Sequence, residues 1–235
     1  MTSGRSAPAA TERALIFDFD GLLVDTETPA WRTWQEIYRE HGQELSMALW
    51  ATGVGTLEGF DPALHLQELA GRALEVEALD SDWSERRLVL TDLEGLRPGV
   101  ERILKQARAA GLGLAIASSA SGEWITSILE RIGANDWWDA VYSADGVEAR
   151  AKPEPYLYLA AVEGFGLQPD HALAFEDSPN GIKAAKRAGL YCVAVPNSVT
   201  AHMDLSEADQ IFDSLEDVVL PELLATALPE HPPKP

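Results

Sequence analysis

The chain has 235 residues, 46% of them apolar and 24% charged, and 18 Lys and Arg against 38 Asp and Glu give a formal net charge of −20. At about 150 residues per domain that is room for one domain or two, with enough chain to bury a core unaided by metal or disulfide. No apolar run approaches the ~18 residues of a membrane span. The single cysteine, Cys192, excludes an intramolecular disulfide and a Cys-rich zinc site, and fits a reducing compartment. The acidic field repels polyanions, so neither nucleic acid nor an anionic membrane surface is expected as a partner. A small phosphorylated metabolite remains open, because a bound metal and one lysine can reverse the sign locally. The segment MTSGRSAPAATER has no apolar stretch behind its charge and is not a secretory signal, so a cytoplasmic protein is expected.

In chain order, residues 1–12 and the proline-rich 226–235 read as tails. Ala14 to Phe19 is a short apolar run ending in acids, a buried-strand pattern. From Pro29 to His41 the spacing of Trp31, Trp34, Ile37 and Tyr38 predicts a helix that Gly42 ends. Helical spacing returns through Leu64, Leu66 and Leu69, and again from Trp83 to Leu93. The rhythm then changes. Helices over 100–110, 123–132, 153–164 and 180–188 alternate with strands over 112–117, 140–143, 172–175 and 191–195, with glycine at each helix exit. Strand alternating with helix predicts an α/β fold, a doubly wound parallel sheet. On this reading 13–25 and 94–225 form the core, and 26–93 is an inserted α-helical cap.

Ligands bind outside the carboxyl ends of strands in such sheets. The residues expected there are Asp18 and Asp20, Ser118 and Ser119, Lys152, and Glu176 with Asp177. Two carboxylates two places apart on an extended chain point the same way, and one could be a nucleophile while the other does acid/base work. Taken alone, this pair reads as a solvated acidic turn. Glu176 and Asp177 add a second acidic cluster, which would repel the first unless a cation lies between them; Mg2+, with its preference for oxygen ligands, suits the position. Helix N-capping by Asp177 or Ser178 is the alternative and can coexist with ligation. Lys152 could neutralise a phosphoryl oxygen, and Ser118 with the N–H groups of the next helix could hold an anion.

All four pieces, in this order and each after a strand, are specific together. FDFDGLLVDTE, the serine of IASSAS, the lysine of KPEPYLY and FEDSPNGIKAA resemble the haloacid dehalogenase superfamily of phosphohydrolases over residues 13–200, and most nearly its β-phosphoglucomutase-like branch. The resemblance implies an Mg2+-dependent phosphohydrolase in which Asp18 attacks phosphorus and Asp20 protonates the leaving oxygen, then activates water. It implies that Ser118 and Lys152 hold the phosphoryl oxygens, and that Asp18, the backbone carbonyl of Asp20, Glu176 and Asp177 hold the metal. An acid at Asp20 argues against carbon–halogen chemistry, since halide leaves without a proton. The absence of lysine between Asp25 and Glu94 argues against a phosphonatase, which needs a Schiff-base lysine from the cap.

Within that branch the mutases carry a histidine early in the cap, an arginine after the glycine-containing loop and a basic residue after the motif serine. Here those positions hold Ala30, Thr56 and the uncharged run Ser119-Ala120-Ser121. The expectation is therefore hydrolysis of a small phosphorylated metabolite, a sugar phosphate by resemblance; the alternatives are a sugar-phosphate mutase and a catalytically silent scaffold. Thr26, Glu27, Gly53, Thr56, Ser119 and Asn180 are the expected substrate-side residues, and Arg86 or Arg87 could add a phosphate contact. The cap tryptophans Trp31, Trp34, Trp50 and Trp83 read mainly as core. A monomer or weak homodimer is expected.

Overall fold

The computed structural model describes residues 11–54 and 60–228. A fully buried strand, β1 (Ala14–Phe17), comes first. Among the described residues, four α-helices lie between β1 and the alternating part of the chain: α1 (Glu27–Glu40), α2 (Met47–Trp50), α3 (Pro62–Ala70) and α4 (Val76–Thr91). The alternating part runs α5 (Val100–Ala109), β2 (Gly113–Ser118), α6 (Gly122–Arg131), β3 (Ala140–Ser143), α7 (Tyr156–Phe165), β4 (Ala172–Glu176), α8 (Pro179–Arg187) and β5 (Tyr191–Ala194). A two-residue strand, β6 (Gln210–Ile211), and a helix, α9 (Leu220–Ala227), follow. No helix among the described residues is long and apolar enough to cross a membrane.

The strands form one sheet in the order β3-β2-β1-β4-β5-β6, and every pairing is parallel. β1 lies between β2 and β4, where the winding reverses, so the residues leaving β1 stand at the switch point of the sheet. The two faces differ in side-chain size. Leu15, Phe17, Leu114, Ile116 and Phe175 point to one face and pack against α5, α6 and α9; Phe17 and Phe175 stack with ring centroids 4.7 Å apart. Ala14, Ala115, Ala117 and Ala174 point to the other, where small side chains let α7 and α8 lie close. A third cluster, built on Trp31, Trp34, Ile37, Tyr38 and Leu66, joins α1 to α3 and touches Val199 of the sheet side.

Three boundaries depart from expectation. α7 begins at Tyr156 rather than at residue 153, because Glu154 precedes Pro155 and that neighbour disfavours the helical conformation. α4 begins at Val76 rather than near Trp83. β6 and α9 were not anticipated: β6 is too short to show alternation, and Pro221 reads as a breaker although proline fits the first turn of a helix. Ala227 is thus helical and Leu228 is buried, where a tail was expected; residues 1–10 and 229–235 lie outside the described residues.

Candidate active site

Asp18 follows β1 directly, and its N–H donates to the Phe175 carbonyl at 2.9 Å, continuing the β1–β4 pairing past the strand ends. Gly21 then turns the chain at φ +80°; a β-carbon there would lie 2.5 Å from both Asn197 Nδ2 and Asp177 Oδ2. Glu176 ends β4 and Asp177 follows it, both buried. Ser178 caps α8, accepting from the Gly181 N–H at 3.3 Å, so of the two candidates for that cap the serine takes it. Ser118 ends β2 and Lys152 precedes α7, and both are buried.

Carboxylate oxygens of Asp18, Glu176 and Asp177 come within 4.8 Å of one another. One ammonium serves them: Lys152 Nζ pairs with Asp18 Oδ1 and, at 2.6 Å, with Glu176 Oε1. Tyr158 donates its hydroxyl to the same Glu176 oxygen at 2.5 Å, and Asn197 Nδ2 donates to Asp177 Oδ2 at 2.6 Å. Burial pushes Asp18 up to about 7, with Lys152 pulling it down and Glu176 pushing it up. Burial, then Asp18 and Glu176, raise Asp177 well above the carboxylate range. Burial alone would lower Lys152, but the two carboxylates outweigh it and hold the ammonium protonated. Three buried acids against one base leave a charge deficit, and an oxygen-lined pocket with that deficit fits a hard divalent cation.

Asp20 is directed elsewhere. Its Oδ1 accepts from Thr26 Oγ1 at 2.9 Å and from the Trp124 indole N–H at 2.8 Å, and its Oδ2 lies 3.4 Å from Ser118 Oγ. A cleft of about 400 Å³ opens over Asp18, Asp20, Ser118, Ser119, Lys152 and Asp177, and Thr26, Glu27, Val54 and Arg87 also line it. Glu27 is pushed up to about 8 by burial and by Asp20. Beyond Glu27, Val54 and Arg87 lies a second cavity of about 300 Å³, walled by Trp34, Trp50, Trp83 and Phe60. Two buried donors without a hydrogen-bond partner, Trp50 Nε1 and Arg87 Nε, belong to its lining.

Of the expected substrate-side residues, Thr26, Glu27 and Ser119 line the first cleft and Gly53 the second. Asn180 lines neither; its amide donates to the Val54 carbonyl at 3.3 Å and so ties α8 to the helical segment. Thr56 lies outside the described residues. Arg86 is held on the surface by Glu40 at 2.6 Å and Asp82 at 2.7 Å, whereas Arg87 faces the cleft. Sequence reasoning missed Tyr158, Trp124 and Asn197. Asn197 follows β5 and the rule of strand ends could have found it; Tyr158 and Trp124 are helix residues whose spacing reads only as core.

A profile of haloacid dehalogenase-like hydrolases matches residues 12–189. The chain belongs to that family. It is therefore an enzyme, a hydrolase with proteins named as phosphatases among its relatives. It is 43% identical over 212 residues, covering 90% of this chain and 96% of the other, to YhcW of Bacillus subtilis (strain 168), which is named as a phosphatase. Over 216 residues it is 29% identical to a validoxylamine A 7'-phosphate phosphatase of Streptomyces hygroscopicus subsp. limoneus, covering 90% and 98%. Among haloacid dehalogenase-like crystal structures, that of CbbY from Rhodobacter sphaeroides in complex with phosphate superposes with TM-score 0.69 and 28% identity over 88% of this chain and 96% of that one.

Proposed function

We propose that the chain is an Mg2+-dependent phosphomonoesterase of a small phosphorylated metabolite, with sugar phosphates as the leading substrate class, working through an aspartyl-phosphate. One observation carries the reading: Asp18, Asp20, Ser118 and Lys152 open on a single cleft at the carboxyl edge of the sheet. The phosphate bound in the CbbY structure and the phosphate ester named for the Streptomyces relative support it.

In the first half-reaction an Asp18 oxygen attacks phosphorus in line, the ester P–O bond breaks, and Asp20 gives its proton to the departing oxygen. In the second, Asp20 takes a proton from water as that water attacks phosphorus, which releases inorganic phosphate and frees Asp18. Lys152 spends two of its three donors on Asp18 and Glu176, leaving the third for a phosphoryl oxygen. Ser118, whose Oγ already accepts from the Ala120 N–H at 3.1 Å, can turn its hydroxyl to another. Asp18, Glu176, Asp177 and the backbone carbonyl of Asp20 would hold Mg2+, which would supply positive charge to offset the repulsion of an anionic phosphoryl group by the carboxylates. Such a reaction depends on placement and charge neutralisation more than on further covalent steps. Residues 26–93 act as the cap, contributing Thr26, Glu27, Val54 and Arg87 to the cleft and shielding it from bulk water.

Phosphate release with Mg2+ over a panel of sugar phosphates and p-nitrophenyl phosphate, beside Asp18→Asn, tests the reading. Turnover that needs Mg2+ and vanishes in Asp18→Asn is expected. Interconversion of glucose 1- and 6-phosphates with added bisphosphate and no phosphate release would instead make it a mutase, and silence in both assays would favour a binding scaffold.

A further inference from the structure

Trp124 occupies the first turn of α6, where its backbone N–H is fixed by the Ser121 cap at 3.2 Å. Its indole N–H donates to Asp20 Oδ1, and the same oxygen accepts from Thr26. An indole N–H can only donate, so Oδ1 is committed as an acceptor. The proton that Asp20 delivers is thereby favoured on Oδ2, whose neighbour, the Ser118 hydroxyl at 3.4 Å, can turn from donor to acceptor. Without the indole, a half-turn of the carboxyl group would exchange the two oxygens.

The Trp124 ring is held in its turn. The Arg87 guanidinium lies 4.5 Å from the centroid of that ring and 4.3 Å from the centroid of Trp83, one turn earlier on α4. Its Nε is buried without a hydrogen-bond partner, and burial lowers its basicity against the pull of Asp20 and Glu27. The two aromatic faces, together with the pull of Asp20 and Glu27, hold this cation between the helical segment and the core.

We infer that Trp124 is a positioning residue for proton delivery by Asp20, and that Arg87 makes this positioning depend on the seating of α4. The inference rests on the reading of Asp20 as the general acid. It predicts a defect that follows the leaving group. An alkoxide leaves only with a proton, whereas p-nitrophenolate leaves without one, and kcat/KM reports only the steps through departure of the alcohol.

The experiment compares kcat/KM for the best sugar phosphate of the panel and for p-nitrophenyl phosphate in wild type, Trp124→Phe, Arg87→Met, the double variant and Asp20→Asn. Phenylalanine keeps an aromatic face toward Arg87 while removing the N–H donor along with the five-membered part of the indole. Trp124→Phe is expected to lose about 10- to 100-fold on the sugar phosphate and to stay within about twofold on p-nitrophenyl phosphate. Arg87→Met, which also changes the cleft lining, should lose more on the sugar phosphate than on p-nitrophenyl phosphate, and in that ratio the double variant should fall no further than Trp124→Phe, because both act through one carboxyl group. Equal losses on the two substrates would reduce Trp124 to packing, and no loss on either would remove it from the mechanism; both overturn the inference. An additive double variant overturns the part assigned to Arg87. Asp20→Asn separates the two levels: if it shows the selective loss and Trp124→Phe does not, the positioning role alone falls, and if it shows none, the reading of Asp20 falls with it.

Discussion

Gly181 lies within α8, where alanine ordinarily improves a helix by about 1 kcal/mol. Here a β-carbon would sit 2.0 Å from the Glu176 carboxyl carbon, inside the group that pairs with Lys152 and Tyr158. The carboxyl cannot retreat without leaving both partners, so the sign reverses. Gly181→Ala is expected to destabilise the protein by about 1–3 kcal/mol, the usual cost of overfilling a packed site. A denaturant midpoint at or above wild type would show that Glu176 has room to move. The same clash predicts weaker Mg2+ binding, measured as a smaller Mg2+-induced rise in Tm. Nothing in the sequence FEDSPNGIKAA says that its glycine serves the acid five places earlier. The motif displays the pair, and only the turn of α8 over the end of β4 brings them together.

At the scale of elements, Glu27 is the instructive case. It is the first residue of α1, where the helix dipole favours a negative charge, yet burial and then Asp20 push its carboxyl from 4.5 up to about 8. Between those values the folded protein keeps a proton that the unfolded chain has released. Its contribution to stability is therefore full below about 4.5 and is lost as pH rises through about 8. Glu27→Gln should remove that loss. Relative to wild type, the variant should gain stability between about pH 5 and pH 8, by at most about 1.4 kcal/mol per unit. Denaturant midpoints of the two proteins across that range check it, and a constant difference would show that Glu27 does not titrate there. The elements themselves were largely legible, because each strand is a short apolar run closed by a glycine-ended helix. What escaped were β6, with no room for a period, and α9, whose proline masks a permitted helix start. The site divides the same way. Asp18, Ser118, Lys152 and Glu176 follow from the rule of strand ends, and Arg87 stood as one of two candidates for a phosphate contact, whereas Trp124 reaches the cleft from a helix position where spacing alone reads it as core.

For the whole molecule, the net charge of −20 and the buried acids of the cleft pull in one direction. Both destabilise the folded state by like-charge repulsion, but salt screens only the first, since charges shut away from water feel little of the ionic atmosphere. NaCl and MgCl2 at equal ionic strength should therefore both raise Tm, and MgCl2 should raise it further. At a hundred times its dissociation constant the specific part is about 2.7 kcal/mol. Asp177→Asn divides the two contributions. It removes a carboxyl that burial, Asp18 and Glu176 already hold well above its ordinary range, while Asn197 Nδ2 can still donate to the amide oxygen that replaces it. In chelator the variant should be at least as stable as wild type. With NaCl it should gain as much, and with MgCl2 it should lose most of the extra rise. A full Mg2+ increment in Asp177→Asn would mean that the ion binds elsewhere on the acidic surface. A variant less stable than wild type in chelator would mean that Asp177 supports the fold by its hydrogen bond rather than straining it by its charge. The expected pairing, greater stability without the ion and less response to it, identifies the acid cluster as a site whose repulsion the metal relieves.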